Sequence, residues 1–165
     1  MESYFIFLNK PEGISSHQCL VEFKRKYSIK KIGHHGTLDP FATGLLLVGV
    51  NEATKFFSYI DDATKSYQAT LVLGSSTTTM DKDGDVLEQK AVPPLSLEQI
   101  KEVAQSFIGE SEQLPPMYSA VKVGGKKLYE YAREGKDVVR EKRKIIIKGI
   151  KITSWDSPVI KFEAT

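Results

Sequence analysis

The segment GHHGTLDPFATG, Gly33 to Gly44, places one carboxylate, Asp39, directly before a proline and between two glycines. Pro40 favours an extended backbone at the residue before it, and Gly36 and Gly44 permit tight turns and a close approach to a ligand. A rigidly presented carboxylate suits nucleophilic or electrostatic catalysis at an electron-poor carbon. The alternative from spacing alone is an Asx-type turn, in which Asp39 accepts hydrogen bonds from nearby backbone N–H groups.

Four other patterns that could carry chemistry are incomplete. The DKDGD run resembles a calcium loop, but Val92 stands where a bidentate Glu is needed. A phosphate-binding GxxxxGK[ST] loop would need glycine at Ala120 and Ser or Thr at Lys127. The adjacent His34 and His35 should point apart, and no second ligand pair has metal-like spacing. There is no GxSxG elbow. We therefore predict neither a metal site nor a Ser/His/Asp hydrolase.

Short elements must position the Asp39 segment. YFIFLN, Tyr4 to Asn9, is typical of a strand that ends at the turn KPEG. Ser15 and Gln18 form a capping box for a following helix. The continuous apolar run from Leu45 to Val50 predicts a strand behind the glycine-rich loop. A short helical segment, EATKFFSYI, is expected next.

The second half of the chain also mixes strands and helices. KSYQATLVL alternates, so Tyr67 should share a face with Leu71 and point towards the core. Ser96 and Gln99 form a second capping box for a helix that reaches Phe107. KLYEYAREG predicts a short helix, IIIKGIKI and PVIKFEAT predict strands, and QLPPMYSAVKVGG is expected to be irregular. The order of elements favours an α+β fold with a mixed, largely antiparallel sheet flanked by helices.

Composition and charge narrow the class of protein. The 165 residues, 41% of them hydrophobic, suit an ordinary globular domain, and one cysteine cannot form an internal disulfide. No apolar run approaches the length of a membrane span and no signal peptide is evident, so we expect a cytoplasmic protein with no membrane association. Residues 122–148 carry ten Lys/Arg against four Asp/Glu, and residues 24–31 carry five cations without an acid. Tyrosines in or beside these segments suit nucleic acid, although solvated surface lysines are an equally good explanation of the charge.

Several long motifs in order resemble one family. GHHGTLDPFATGLL resembles the catalytic-aspartate motif of the TruB-type pseudouridine synthases, and LNKPEGISS resembles their first motif. KSYQATLVLGSSTTTMDKDGDV is similar to their K-x-Y strand and T-x-T-x-D-x-x-G turn. QLPPMYSAVKVGGKKLYEYAREGKDVVR is similar to their Q-x-P-P-x-Y-S-A-x-K segment. Together these motifs span nearly the whole chain.

The resemblance implies an isomerase that converts uridine to pseudouridine at position 55, in the T-loop of tRNA, without a cofactor. Asp39 matches the catalytic aspartate, which attacks a uridine flipped out of its stack. His34 matches the histidine beside the flipped nucleotide, and Tyr67 matches the tyrosine that stacks on the base. The residues alone favour a loop histidine bonded to backbone for His34 and a buried core aromatic for Tyr67.

The resemblance also assigns the basic region. Residues 110–145 correspond to an insertion that grips the T-arm of tRNA. Its cations would contact phosphates and so position the RNA without reading its sequence. The expected RNA-binding residues are Lys122, Lys126, Lys127, Arg133, Arg140 and Arg143. No obligate protein partner is expected, and we expect a monomer.

One family motif does not occur. Family members continue into a K-G-x-Y-I-R segment whose arginine pairs with the catalytic aspartate, and KGIKI at Lys148 does not match it. We therefore interpret residues 1–165 as the N-terminal part of a catalytic domain, without the C-terminal catalytic segment or an RNA-binding domain. Without the arginine, the pKa of Asp39 has less reason to be depressed. The sequence predicts weak or no activity for these residues alone.

Two other functions remain open from the sequence. The chain could be a non-catalytic RNA-binding module that uses its basic segments while Asp39 does no chemistry. It could instead use Asp39 as a phosphoryl acceptor, but a second acidic cluster and a Mg²⁺ loop, which that chemistry needs, are missing from the sequence.

Overall fold

The computed structural model describes residues 2–60 and 64–165. The chain divides into two compact units, Met1–Ala63 and Thr64–Thr165. Every strand pairing recorded in the described residues is antiparallel, in agreement with the predicted α+β class. No helix in these residues is both long and apolar enough to cross a membrane.

The first unit contains a three-stranded sheet and one α-helix. Strands β1 (Tyr4–Lys10), β2 (Ile32–His35) and β3 (Gly44–Val50) have the order β1-β3-β2. Helix α1 (Ser16–Lys26) connects β1 to β2, and a 3-10 helix (Asn51–Tyr59) follows β3. The two predicted strands and the helix are confirmed.

The core of the first unit lies on one face of this sheet. Leu20 of α1 packs with Leu46 and Val48 of β3, and all three are buried. Alternation along β1 places Ile6 and Leu8 against this cluster, with Lys10 next in the same row. The sheet face that carries the core therefore ends in a lysine. The predicted capping box also forms, because the Ser15 hydroxyl accepts from the Gln18 N–H and the Gln18 side chain accepts from the Ser15 N–H.

The second unit contains four small sheets and two helices. A three-stranded sheet has the order β11-β12-β4, and the pairs β10-β7, β5-β6 and β8-β9 form the other three sheets. The strands are β4 (Tyr67–Val72), β5 (Ser75–Thr77), β6 (Val86–Gln89), β7 (Gly109–Gln113), β8 (Lys122–Val123), β9 (Lys126–Lys127), β10 (Arg143–Ile147), β11 (Ile150–Asp156) and β12 (Val159–Ala164). The helices are α2 (Leu97–Ser106) and α3 (Leu128–Arg133).

Most local predictions for the second unit are confirmed, with three differences. The capping box of Ser96 and Gln99 begins α2 as expected. The IIIKGIKI run is not one strand, because β10 ends at Ile147 and β11 begins at Ile150. The segment expected to be irregular contains β8, which turns through Gly124 and Gly125 into β9. Strand β7, GESEQ, has no apolar alternation and was not predicted.

The calcium-like DKDGD run is a turn closed by its own hydrogen bonds. The Thr77 hydroxyl donates to the Asp81 carbonyl over 2.7 Å, and the Asp83 N–H donates to the Asp81 carboxylate over 3.0 Å. Carboxylate oxygens that accept backbone N–H groups are typical of a polar turn. The turn joins β5 to β6, as part of a hairpin.

Candidate functional site

Asp39 lies in the loop that connects β2 to β3. Gly36, with φ +76°, follows the end of β2, and Gly44, with φ +119°, opens β3. These backbone angles are unfavourable for residues with a side chain, which explains a glycine at each end of the loop. The Ala42 N–H donates to the Asp39 carbonyl over 3.0 Å and closes a tight turn. Asp39 itself is exposed.

The backbone on both sides of Asp39 is held by residues of the β1–α1 segment. On one side, Ser16 Oγ is 3.0 Å from both the N–H and the carbonyl oxygen of Leu38. On the other side, the Pro40 carbonyl accepts from the Gly13 N–H over 2.8 Å and from Lys10 Nζ over 3.1 Å. These four hydrogen bonds fix the path of the chain through Asp39, and they involve no atom of its carboxylate.

Lys10 is a fully buried cation. Its relative exposure is 0%, and its ammonium group donates to the carbonyls of Pro11 and Ile14 over 2.8 Å each, as well as to that of Pro40. An ammonium group has three N–H donors, so all are used. Burying a charge is costly unless its hydrogen-bonding capacity is satisfied, and three carbonyl dipoles provide that compensation here. Lys10 thus connects the KPEG turn to the Asp39 loop.

His34 lies in β2, whereas the sequence suggested a loop position. Its pairing with Val48 places it on the same face of the sheet as Lys10. Nδ1 makes a short hydrogen bond to the Gly36 carbonyl, as in the interpretation of a histidine bonded to backbone. Because a carbonyl oxygen can only accept, Nδ1 must carry the proton in this contact. In the neutral ring Nε2 is then the hydrogen-bond acceptor. The neighbouring His35 packs instead on the Phe57 ring, 5.6 Å between centroids, so the two histidines do point apart.

Tyr67 belongs to the second unit, at the start of β4. The expectation that it points into a core is wrong, because its relative exposure is 52%. Strand β4 is an edge strand of its sheet, and Leu71 and Val72, on its two faces, are also about half exposed. Alternation correctly identified which residues share a face, but neither face of this strand is deeply buried.

The predicted RNA-binding cations lie in the β8–β9 hairpin, in α3 and in the segment leading into β10. Tyr129 has Lys127 Nζ 5.3 Å and the Arg133 guanidinium 5.4 Å from its ring centroid. Lys126 Nζ lies 4.8 Å from the ring centroid of Tyr131. Cations over aromatic faces are held without losing their charge, so Lys127 and Arg133 remain competent to meet phosphate. Lys126 also pairs with the Glu134 carboxylate, which a phosphate would have to replace.

The other three predicted cations differ in their engagement. The Arg140 guanidinium donates to the Pro115 carbonyl over 3.0 Å, and Arg143 donates to the Gln113 side chain over 2.7 and 3.0 Å. These arginines link residues 113–115 to residues 140–143. Lys122 is exposed on β8.

Within residues 2–60 and 64–165, no group of three or more His, Cys, Asp or Glu side chains could hold a metal ion. Cys19, on α1, is buried, and burial is the main reason that the pKa of its thiol is raised. A raised pKa disfavours the thiolate, which is the nucleophilic and metal-binding form. Cys19 is therefore a core side chain.

Sequence reasoning missed Lys10, Gly13 and Ser16 as determinants of the site. Their partners in the loop lie 22 to 30 residues away along the chain, which no local pattern reveals. The available signal was the LNKPEGISS motif. Local sequence patterns predicted no role for Lys10, which is next to a turn, or for Ser16, which follows the capping serine.

A model of a protein family matches most of this chain. The TruB family pseudouridylate synthase (N terminal domain) model aligns with residues 24–165. The chain therefore belongs to the TruB family of pseudouridylate synthases, as its motifs indicated. The matched region includes the Asp39 loop and the cationic insertion.

Individual relatives agree with this family. The chain is 48% identical over 149 residues to tRNA pseudouridine synthase B of Marinomonas sp. (strain MWYL1), covering 90% of this chain and 48% of the relative. It is 47% identical over 143 residues to tRNA pseudouridine synthase B of Geobacillus kaustophilus (strain HTA426), covering 86% and 50%. The chain thus spans about half the length of the curated relatives it matches.

The fold is also similar to solved structures. A chain in the crystal structure of a Cbf5-Nop10-Gar1 complex aligns with a TM-score of 0.67 and 27% identity, covering 97% of this chain and 38% of that one. A chain in a structure of an H/ACA RNP bound to a substrate RNA containing 2′-deoxyuridine aligns with a TM-score of 0.63 at 22% identity, which supports the fold alone.

Proposed function

We propose that this chain carries the nucleophile of a tRNA pseudouridine synthase that acts on the uridine at position 55 of the T-loop. The observation that carries the proposal is the anchored loop: Asp39 is exposed while Leu38 and Pro40 are both held through their backbones. Such an arrangement fixes the position of the residue through its main chain, as covalent or electrostatic catalysis requires. Membership of the TruB family supports the reaction class.

The reaction exchanges one glycosidic bond for another. The bond between uracil N1 and the sugar C1′ breaks, the base rotates, and a bond forms between C5 and C1′. The proton on C5 is released and N1 gains a proton, so no oxidant, reductant or cofactor is consumed. Asp39 assists this exchange by adding to the sugar C1′ or to the uracil ring. Either route requires an ionised carboxylate close to the target nucleotide.

The target uridine must leave its stack to reach Asp39. Flipping a nucleotide costs a few kcal/mol, which contacts to the flipped base offset. We assign His34 to the nucleotide: its Nδ1 is engaged by the Gly36 carbonyl, so Nε2 is the nitrogen that can accept a hydrogen bond. We assign Tyr67 to stacking on the base, for which its half-exposed ring is available.

The cationic insertion would bind the T-arm of the tRNA. Lys126, Lys127 and Arg133, held over tyrosine rings, would contact phosphates, and so would Lys122. Arg140 and Arg143 would shape this region through their contacts with Pro115 and Gln113, in addition to any phosphate contact. We propose that residues 1–165 are the N-terminal part of the catalytic domain and act as a monomer in the cytoplasm, without an obligate protein partner.

For the 165 residues taken alone we expect weak or no turnover. None of them forms the K-G-x-Y-I-R segment, whose arginine would keep the carboxylate of Asp39 charged and oriented. A robust release of tritium from [5-³H]uridine in tRNA by this chain alone would contradict this expectation.

A hybrid enzyme tests the proposed function. This chain replaces the matching half of the Marinomonas tRNA pseudouridine synthase B, and tritium release from [5-³H]uridine-labelled tRNA transcript is measured with the unchanged chain and with Asp39→Asn. We expect turnover from the first hybrid and none from the second, with tRNA affinity retained in both. Turnover by the Asp39→Asn hybrid would contradict a nucleophilic Asp39.

The same experiment addresses the second candidate, a non-catalytic RNA-binding module. The observation that favours this candidate is that cations are abundant in residues 122–148 while the arginine motif does not occur in the chain. A hybrid that is folded and binds tRNA with a steep salt dependence, yet releases no tritium with Asp39 intact, would support the binding module.

Position 55 is tested by replacing that uridine with cytidine in the transcript.

A further inference from the structure

We propose that the end of α1 and the turn after it form a second RNA-binding surface, separate from the insertion in the second unit. We call it the α1 cationic patch, and it consists of Lys24, Arg25, Lys26 and Lys30 around Tyr27. Its ligand is the phosphate backbone of the same RNA whose uridine meets Asp39. The inference rests on the proposed function and adds to it a binding surface on the unit that carries Asp39.

The four cations of the patch are exposed, and none of them forms an ion pair with a carboxylate of residues 2–60 or 64–165. Five cations lie between residues 24 and 31 without an acid, and only Lys31 of these pairs with a carboxylate, that of Glu52, among the residues the structure describes. In the insertion, by contrast, several lysines are paired: Lys126 and Lys136 with Glu134, and Lys142 with Glu112. Because its cations are not paired with carboxylates, the patch attracts an approaching polyanion more strongly than an equal number of paired lysines would.

The patch has a defined geometry. The Tyr27 N–H donates to the Phe23 carbonyl over 3.1 Å, and the Ile29 N–H donates to the Lys24 carbonyl over 3.0 Å, so the chain turns back at the helix end. The left-handed backbone of Ser28, φ 52°, completes this turn. The turn brings Lys30, which lies beyond the helix, back towards the last turn of α1.

Tyr27 gives the patch a feature specific to nucleic acid. One side of its ring packs on Phe23, with 4.5 Å between centroids, and Lys26 Nζ lies 5.5 Å from its centroid. The ring is nevertheless 56% exposed. A fixed aromatic face beside cations is the combination that binds RNA backbones and stacks on bases.

Helix α1 connects the patch to the proposed active site. Its first residue, Ser16, holds Leu38, and its last residue, Lys26, belongs to the patch. Ten residues of α-helix separate them by about 15 Å. An RNA with its target uridine at Asp39 can reach the patch within a few nucleotides.

Helix electrostatics explain only part of this arrangement. Cations in the last turn of a helix interact favourably with the partial negative charge of its carbonyl end, which accounts for Lys24, Arg25 and Lys26. That effect is confined to the helix terminus. It does not explain Lys30 or the exposed ring of Tyr27.

The test compares two triple variants of the 165-residue chain that lose equal charge. The patch variant carries Lys24→Gln, Lys26→Gln and Lys30→Gln. The control variant carries Lys101→Gln, Lys151→Gln and Lys161→Gln, at exposed positions in the second unit. Binding of an unmodified tRNA transcript is measured by fluorescence anisotropy over a range of KCl concentrations.

Log affinity decreases with log salt concentration, and each phosphate contact on a single strand adds about 0.7 to the steepness of that decrease. Because the patch variant loses three cations, we expect its salt dependence to be less steep by about 2. The slope of the control variant should equal that of the unchanged chain. Tyr27→Ala should weaken binding by about tenfold without changing the slope. Equal slopes for the two triple variants would overturn the proposal.

Two further measurements keep the result interpretable. Lys30→Gln alone, which lies outside the helix, should lower the slope by about 0.7 even if the triple variant does not fold. Vesicles of phosphatidylglycerol serve as the competing polyanion. If the patch mutations abolish vesicle binding and leave tRNA binding at the control level, the proposal is overturned in favour of a membrane surface.

The outcome is separable from that of the proposed function. Patch-dependent tRNA binding together with a hybrid that releases no tritium would retain the patch and reject the catalytic assignment of Asp39. Turnover that depends on Asp39, together with unchanged binding by the patch variant, would do the reverse.

Discussion

Ser16 Oγ and the backbone of Leu38 form a paired hydrogen bond: the hydroxyl accepts from the Leu38 N–H and donates to the Leu38 carbonyl, over 3.0 Å in each case. Ser16 is 1% exposed, whereas Leu38 is only partly buried. The first residue of α1 therefore takes the place of a partner strand for the residue next to Asp39.

Ser16→Ala should destabilise the protein by about 1–3 kcal/mol, because it removes both hydrogen bonds between the buried hydroxyl and the backbone of Leu38. Urea denaturation followed by circular dichroism measures this. Ser106→Ala is the matched control, since the Ser106 hydroxyl also donates to a carbonyl, that of Val103, but at an exposed position. In the hybrid enzyme, Ser16→Ala should lower kcat by about tenfold to a hundredfold. Equal effects of the two alanine variants on stability would contradict the anchoring role.

Lys10→Met should destabilise the protein by about 2–4 kcal/mol, since the carbonyls of Pro11 and Ile14 lose the ammonium donor while the volume of the side chain is nearly kept. The Pro40 carbonyl also loses this donor but keeps the Gly13 N–H. Lys10→Arg should not restore stability, because a planar guanidinium cannot direct its donors as a compact ammonium does. Thermal unfolding of both variants is compared with that of Lys101→Met, an exposed lysine. A Lys10→Met protein as stable as the unchanged chain would mean that the desolvation of the ammonium cancels its hydrogen bonds.

Gly36→Ala should cost about 1 kcal/mol through backbone strain alone. The residue has φ +76°, and a Cβ placed there would meet no atom within 4 Å. Gly36→Asn should cost less, because asparagine tolerates left-handed backbone better than alanine. Gly149→Ala is the control, since a Cβ there also meets nothing and no left-handed angle is required. The order of unfolding midpoints, with Asn above Ala at position 36, is the decisive measurement.

The Glu134 carboxylate should titrate abnormally low. Hydrogen bonds from Lys126, and then from Lys136, hold the pKa of Glu134 below its ordinary value. Because the folded pKa is the lower one, the stabilising contribution of Glu134 is present above the ordinary carboxyl pKa. It is lost as the pH falls through the depressed pKa.

Lys126→Gln should therefore raise the pKa of Glu134 towards its ordinary value, measured by NMR titration of the side-chain carboxyl carbon. High salt should act in the same direction, because both groups are close to solvent. Lys122→Gln, a neutralisation in the adjacent strand β8, serves as the control. An unchanged titration midpoint in Lys126→Gln would contradict the ion pair.

The parts of the fold that local physics decides could be predicted from the sequence. The capping boxes at Ser15 and Ser96 require only residues three apart, and both form. The apolar run from Leu45 to Val50 has the length of a strand and forms β3, although Leu45 is exposed. In contrast, β7 carries the residues GESEQ and is ordered by its pairing with β10, which lies 30 residues later.

In the candidate site, too, local patterns predicted some features, and others depend on contacts between distant parts of the chain. Motifs identified Asp39 and His34, and the alternation of β4 placed Tyr67 on a face with Leu71. Alternation does not determine whether an element covers that face, which is why the exposure of Tyr67 was predicted wrongly. The roles of Lys10 and Ser16 depend on contacts across 22 to 30 residues, which only the folded chain reveals.

The anchoring of the Asp39 loop has a consequence for protein engineering. Gly13, Lys10 and Ser16 hold main-chain atoms of residues 38 and 40, and none of these hydrogen bonds uses a side chain of the loop. Side chains at exposed loop positions such as Thr37 and Thr43 can therefore be randomised in a library while these main-chain hydrogen bonds are kept. Selection for altered substrates can proceed at these positions without first repairing the scaffold.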